Sequence, residues 1–202
     1  MRRPLKTKSK KKVDRVPIPS QTVGPYFRIT LVGKRPQGRI AAPGVKGERV
    51  KLTCTVFDGE GQPIPDALIE IWQANADGKY HHPDDHQLKP IDPAFIGFGR
   101  MGTEENGSCE FETIKPGRVP GKGKTLQAPH LEVSVFARGV LRRLATRIYF
   151  AGDAANDECP VLALVPKSRR ATLMAQPVPG EPGAWRFDVY VSGPKETVFF
   201  DV

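Results

Sequence analysis

The chain has 202 residues, enough for one domain with a buried core, and its 31 Lys and Arg against 22 Asp and Glu give a net charge of +9. No apolar run reaches the length of a membrane span, and the basic start is not followed by an apolar segment, so neither a membrane protein nor a secretory signal is expected. Three cysteines, Cys54, Cys109 and Cys159, are too few and too widely spaced for a disulfide framework or a zinc site. They are read as reduced, buried thiols of a cytoplasmic protein.

The charge is uneven. Residues 1–15 hold eight Lys or Arg and one Asp, which leaves 23 basic and 21 acidic residues for the rest. A block of like charge without apolar partners cannot order itself, so residues 1–15 are expected to be a disordered basic tail. The folded domain is expected to span residues 16–202. Because that part is nearly neutral, a nucleic-acid-binding role is disfavoured.

In chain order, PIPSQTVGPYF (17–27) reads as an extended N-terminal arm, followed by a Gly- and Pro-rich loop over 33–47. Strands are expected at VKLTCTVFD (50–58), ALIEIWQA (67–74), CEFETI (109–114), LEVSVFA (131–137), ATRIYFA (145–151), WRFDVYVS (185–192) and TVFFDV (197–202). Residues 75–107 read as one long loop, and long loops in compact domains are often functional. One short helix is expected within 159–176, with Ser168 behind Pro166 as its N-cap. The class is all-β, and several short strands separated by turn residues indicate a β-sandwich.

Strand alternation places Leu131, Val133, Val135 and Ala137 on a core face, and His130, Glu132, Ser134, Phe136 and Arg138 on the other. A pair at i and i+2 on one face can share a metal, but a lone His beside a Glu is more often a hydrogen-bonded pair. The cluster HHPDDH (81–86) fits an ordinary polar loop better than a metal site. In the arm, Thr22 offers a hydroxyl, Gly24-Pro25 fixes a turn, and Tyr26 offers a phenol and a ring face. On its own this segment reads as a structural N-terminal strand, and Arg138 as half of a surface ion pair. A noncatalytic β-sandwich binding module is the alternative reading.

Four segments in order, SQTVGPY (20–26), IEIWQANADGKY (69–80), TIKPG (113–117) and APHLEVSVFARG (128–139), resemble the intradiol ring-cleaving dioxygenases. The resemblance runs from Pro17 to Val202, and the basic tail is foreign to it. It implies a β-sandwich of the intradiol dioxygenase type. In the catalytic members iron(III) is held by two tyrosines and two histidines. The corresponding positions here are Gln87, Val119, His130 and Glu132, of which His130 alone keeps a ligand. The resemblance therefore implies a subunit with no catalytic residue and no metal of its own, whose vestigial site is closed. It would act beside a homologous iron-binding beta subunit. Thr22, Gly24, Pro25, Tyr26 and Arg138 would then line the partner's pocket for a hydroxylated aromatic acid that reacts with O2.

Overall fold

Alternating apolar and polar residues make this chain a stack of short strands, each able to bury one face. The computed structural model describes residues 19–33 and 37–202; the side chains of Pro25, Tyr26 and Arg28 lie outside the described part, as does the whole basic tail. The elements are α1 (Pro25–Val32), β1 (Arg49–Phe57), β2 (Leu68–Trp72), β3 (Phe98–Gly102), β4 (Ser108–Ile114), β5 (Val119–Pro120), β6 (Leu126–Gln127), β7 (His130–Phe136), β8 (Leu144–Phe150), α2 (Pro160–Ala163), β9 (Met174–Pro177) and β10 (Ala184–Tyr190). Short 3-10 turns cover Ala154–Asn156 and Lys167–Leu173.

Eight strands form one sheet in the order β3-β2-β7-β8-β9-β10-β1-β4, and β5 pairs with β6 separately. Pairing is antiparallel except for β1 with β10 and β8 with β9. The link between β8 and β9 is only two residue pairs long, so the sheet folds there into two halves that face each other. Single bridges from Gln37 to Arg100 and from Arg39 to Glu112 span the outer edges. The all-β sandwich expected from sequence is therefore present.

One core fills the space between the halves. Val50, Leu52, Cys54 and Val56 of β1 point into it, opposite Leu131, Val133 and Val135 of β7. A smaller cluster, Tyr149, Cys159, Leu162, Val165 and Leu173, packs α2 and the second 3-10 turn against β8. All three cysteines are buried free thiols.

Five expectations need correction. The arm is extended only to Gly24; from Pro25 it is helical, because proline at a helix's first turn has its φ preset and no amide to leave unpaired. The helix within 159–176 is broken in two by Pro166, whose ring disfavours helical backbone at Val165; the cap position of the second piece is Pro166, and Ser168 lies inside it. Met174–Pro177 is a strand, closing the sheet beside β8 and β10. TVFFDV contributes a single bridge, Phe200 to Ala145, and no strand. The supposed loop 75–107 also contains β3, hidden from sequence by the two glycines in FGRMG; at Gly99 a Cβ would come within 2.6 Å of the Ile40 side chain.

Candidate functional site

The outer faces of β7 and β8 carry the polar residues. Glu132 lies directly across from Arg147 in the antiparallel register, and His130 across from Tyr149. Arg147 donates from Nη2 to Glu132 Oε1 at 2.6 Å, and from Nη1 to Gln127 Oε1 at 2.7 Å. His130 is 3% exposed; its Nδ1 lies 2.7 Å from the Ala128 carbonyl and its Nε2 3.3 Å from Glu132 Oε1. That last contact is close but poorly directed, so Nε2 has no hydrogen-bond partner. Burial pushes the Glu132 carboxyl up, but the His130 ring and the Arg147 charge outweigh it and hold it below its ordinary value. Burial also pushes the Tyr80 and Tyr149 phenols well up, so both stay protonated.

Two loops bring Gln87 and Val119 to the same place. Asn75 organises the first: its Oδ1 accepts from the amides of Asp77 and Lys79, and its Nδ2 donates to Pro90 O. Its carbonyl accepts from the Gly117 amide at 2.9 Å, which locks the turn 75–79 onto the start of the second loop. The buried Lys79 ammonium donates to the carbonyls of Asp85 and Gln87 and so curls the chain between them. Gln87 then spends its amide nitrogen on Gly78 O at 2.9 Å and Asp85 Oδ2 at 3.1 Å. Val119 is the first residue of β5 and is 4% exposed.

Gln87, Val119, His130 and Glu132 all line one cavity of about 1060 Å³, with Trp72 and Tyr80 on a further wall. In this chain alone, the four positions surround open space where a closed vestigial site was expected. Small residues, Val119 and Ser134 among them, line the wall and leave the space open. The HHPDDH loop forms the rim. His82 packs edge-on against Trp72, and Asp85 accepts the amides of Tyr80 and Gln87. Among the described residues, no group of three or more His, Cys, Asp and Glu is placed to share an ion.

The arm lies elsewhere, at the far end of β7. The Gly139 amide donates to Thr22 Oγ1 at 2.7 Å, which seats the arm beside Arg138. Gly24 caps α1 with extended backbone, and Phe27 packs on Phe136 with ring centroids 5.2 Å apart. Arg138 Nε pairs with Asp66 Oδ2 at 2.9 Å and is 61% exposed. The structure thus seats Thr22 on Gly139, next in sequence to Arg138, with Gly24 two residues further along the arm. Pro25 and Tyr26 follow at the start of α1, with their side chains outside the described part.

A family model described as Dioxygenase matches residues 23–193. The protocatechuate 3,4-dioxygenase alpha chain of Burkholderia cepacia is 44% identical over 197 residues, covering 91% of this chain and 96% of that one. The beta chain from the same organism is 39% identical over 132 residues, covering 64% of this chain and 56% of that one. The structure of catechol 1,2-dioxygenase from Acinetobacter sp. ADP1 inhibited by bound mercury superposes with a TM-score of 0.57 at 25% identity, covering 79% of this chain and 62% of that one. The chain belongs to the intradiol dioxygenase family.

Intradiol dioxygenases are iron-dependent as a family, and the four residues here do not fit that ion. Val119 has no donor atom. Gln87 is a neutral amide already tied to its own loop, and Glu132 is held by Arg147. One imidazole nitrogen remains, too little for a hard trivalent cation. Reasoning from sequence missed Arg147 and Asp66, the charge partners of Glu132 and Arg138. Arg147 was within reach: it is the one charged residue of ATRIYFA, on the outward phase, and pairing the outward faces of two neighbouring strands sets it against Glu132. Asp66 sits at φ +60° in a turn, and nothing in the sequence ties it to Arg138.

Proposed function

We infer that this chain is the alpha subunit of a protocatechuate 3,4-dioxygenase, acting with a homologous beta subunit that holds the iron(III). The assembled enzyme cleaves protocatechuate between its two hydroxylated carbons. Both atoms of O2 are inserted, giving 3-carboxy-cis,cis-muconate. The observation that carries this reading is a donor set unfit for iron in a chain that matches an alpha chain along nearly its whole length.

This chain's contribution is to shape and charge the partner's pocket. Thr22, Gly24, Pro25 and Tyr26 form a polar and aromatic wall suited to a flat ring. Arg138 supplies positive potential that favours the carboxylate of protocatechuate over an uncharged ring. Its pairing with Asp66 weakens that field and fixes its direction. Shared walls of this kind need a large, lasting subunit interface. The buried reduced thiols suit a cytoplasmic setting.

The test is co-expression with the beta subunit, followed by copurification and oxygen uptake on protocatechuate. Uptake is expected when both subunits are present and not with this chain alone. Failure of the two chains to copurify, or a copurified pair without uptake, would sink the reading.

A further inference from the structure

The partner of Arg138 stands in a backbone conformation that its own chemistry does not favour. Pro65 and Asp66 are the central residues of a tight turn ahead of β2. Asp66 has φ +60°, the one positive φ among the described non-glycine residues. A turn with positive φ at its second central position favours glycine or asparagine, which take left-handed backbone readily. The turn is also held from both sides. Thr103 Oγ1 accepts the Ala67 amide at 2.9 Å and donates to the Ile64 carbonyl at 2.9 Å, and the Thr103 amide donates to the Ala67 carbonyl at 2.8 Å. Strain of this kind persists only where the surroundings enforce it, and it collects where a side chain is needed in one place.

The carboxylate shows what it is needed for. Asp66 Oδ1 is buried without a hydrogen-bond partner, and Oδ2 lies 2.9 Å from Arg138 Nε. A poorly solvated carboxylate gains most from a cation held close. Arg138 is otherwise loose: its side chain is 61% exposed, and Asp66 is its one ion-pair partner among the described residues. A guanidinium gripped at Nε keeps its far donors for another acceptor. The next residue, Gly139, carries the arm on its amide.

We propose that Asp66 is a positioning residue. It grips Arg138 at Nε and holds the remaining N–H groups beside the arm, ready for the carboxylate of the aromatic acid in the partner's pocket. This deepens the proposed function and rests on it.

Two effects of Asp66 oppose each other. Its charge weakens the pull of Arg138 on a carboxylate. Its grip removes, before binding, side-chain freedom that a loose arginine would lose on binding. Exposed charges are screened by salt, whereas the loss of freedom is not, so the grip is the larger effect.

Asparagine and glycine separate the two. Asp66→Asn keeps an oxygen for Nε and removes the charge; Asp66→Gly removes both. Both residues accept positive φ, so neither threatens the turn. KM and kcat are measured for protocatechuate and catechol in the enzyme assembled with the beta subunit, at physiological salt and with iron quantified. Asp66→Gly should raise KM for protocatechuate about 3- to 10-fold, with kcat and the catechol values moving less than about 2-fold. Asp66→Asn should keep KM for protocatechuate within about 2-fold of the unaltered enzyme. In an Arg138→Ala background, Asp66→Gly should add nothing. On the full-length chain alone, NMR should show the Arg138 Nε proton exchanging with water several-fold faster in Asp66→Gly than in the unaltered chain or Asp66→Asn. An unchanged or lowered KM for protocatechuate in an active Asp66→Gly assembly would overturn the proposal, because charge would then outweigh grip. Equal losses on both substrates, or proton exchange indifferent to Asp66, would overturn it as well. An unaltered assembly without oxygen uptake would instead overturn the proposed function, and the substrate named here with it, while proton exchange still reports the grip on this chain alone.

Discussion

The Gly139 amide donates to the Thr22 hydroxyl at 2.7 Å across 117 positions of sequence, and this bond fixes where the N-terminal arm lies. It holds the arm against the end of β7, one residue from Arg138. Thr22→Val keeps the side chain's shape and removes the acceptor. An exposed hydrogen bond of this type contributes about 0.5–1.5 kcal/mol. Amide exchange at Gly139 should speed up by roughly the matching 2- to 10-fold, and kcat/KM for protocatechuate in the assembled enzyme should fall by a similar factor. Unchanged exchange and unchanged kinetics would show that the arm is held by other contacts.

Arg138→Ala removes the positive group beside the arm. Only protocatechuate carries a carboxylate, so its kcat/KM should drop about 3- to 10-fold while that for catechol changes less than about 2-fold. The comparison is made in the assembled enzyme with iron quantified. Equal losses on both substrates would mean that the arginine acts through structure, by way of Asp66, and not through charge.

Glu132 ties His130 and Arg147 into one network, and its carboxyl titrates below the ordinary value in the folded chain. Its stabilising contribution is therefore fully present above the unfolded-state value, about 4.3. It is lost as pH falls through the lower folded-state value. Glu132→Gln leaves Arg147 half-buried without its anion. The cost at neutral pH should be about 1–2 kcal/mol, discounted because Glu132 is 36% exposed. Thermal melting across pH checks the sign: the melting temperature of the unaltered chain should fall more steeply below about pH 4 than that of the variant. Parallel curves would remove Glu132 from the acid response.

The strands were legible in the sequence where side chains alternate cleanly. LEVSVF shows a core face and an outer face, and the structure buries Leu131, Val133 and Val135 as that alternation requires. FGRMG was not legible, because glycine carries no facial preference; the tight approach of Ile40 to Gly99 exists only in the assembled sheet. Met174–Pro177 was masked by an apparent helix whose break at Pro166 should have ended it. Of the candidate site, the four positions around the cavity could be named by resemblance, but that they leave open space could not. That depends on how Asn75 and Lys79 fold two separate loops, which no local pattern encodes.

Those loops meet at Gly78, and substitution there should be severe. Gly78 has φ +76°, and a Cβ would fall 2.0 Å from the Arg118 carbonyl oxygen. Gly78→Ala combines left-handed strain with a clash against backbone, which cannot move aside as a side chain tip can. A loss of about 2–4 kcal/mol is expected by denaturant unfolding. Gly123→Ala, with positive φ but open space around it, should cost about 1 kcal/mol. Equal costs at the two positions would show that the loop packing gives way.

Iron content and visible absorption of the purified chain, alone and after assembly with the beta subunit, test most directly whether this chain completes an iron enzyme without holding the iron. The chain by itself is expected to be colourless and iron-poor, with a tyrosinate-to-iron absorption band and oxygen uptake on protocatechuate only after assembly. A coloured, iron-loaded chain that consumes oxygen on protocatechuate unaided would contradict this.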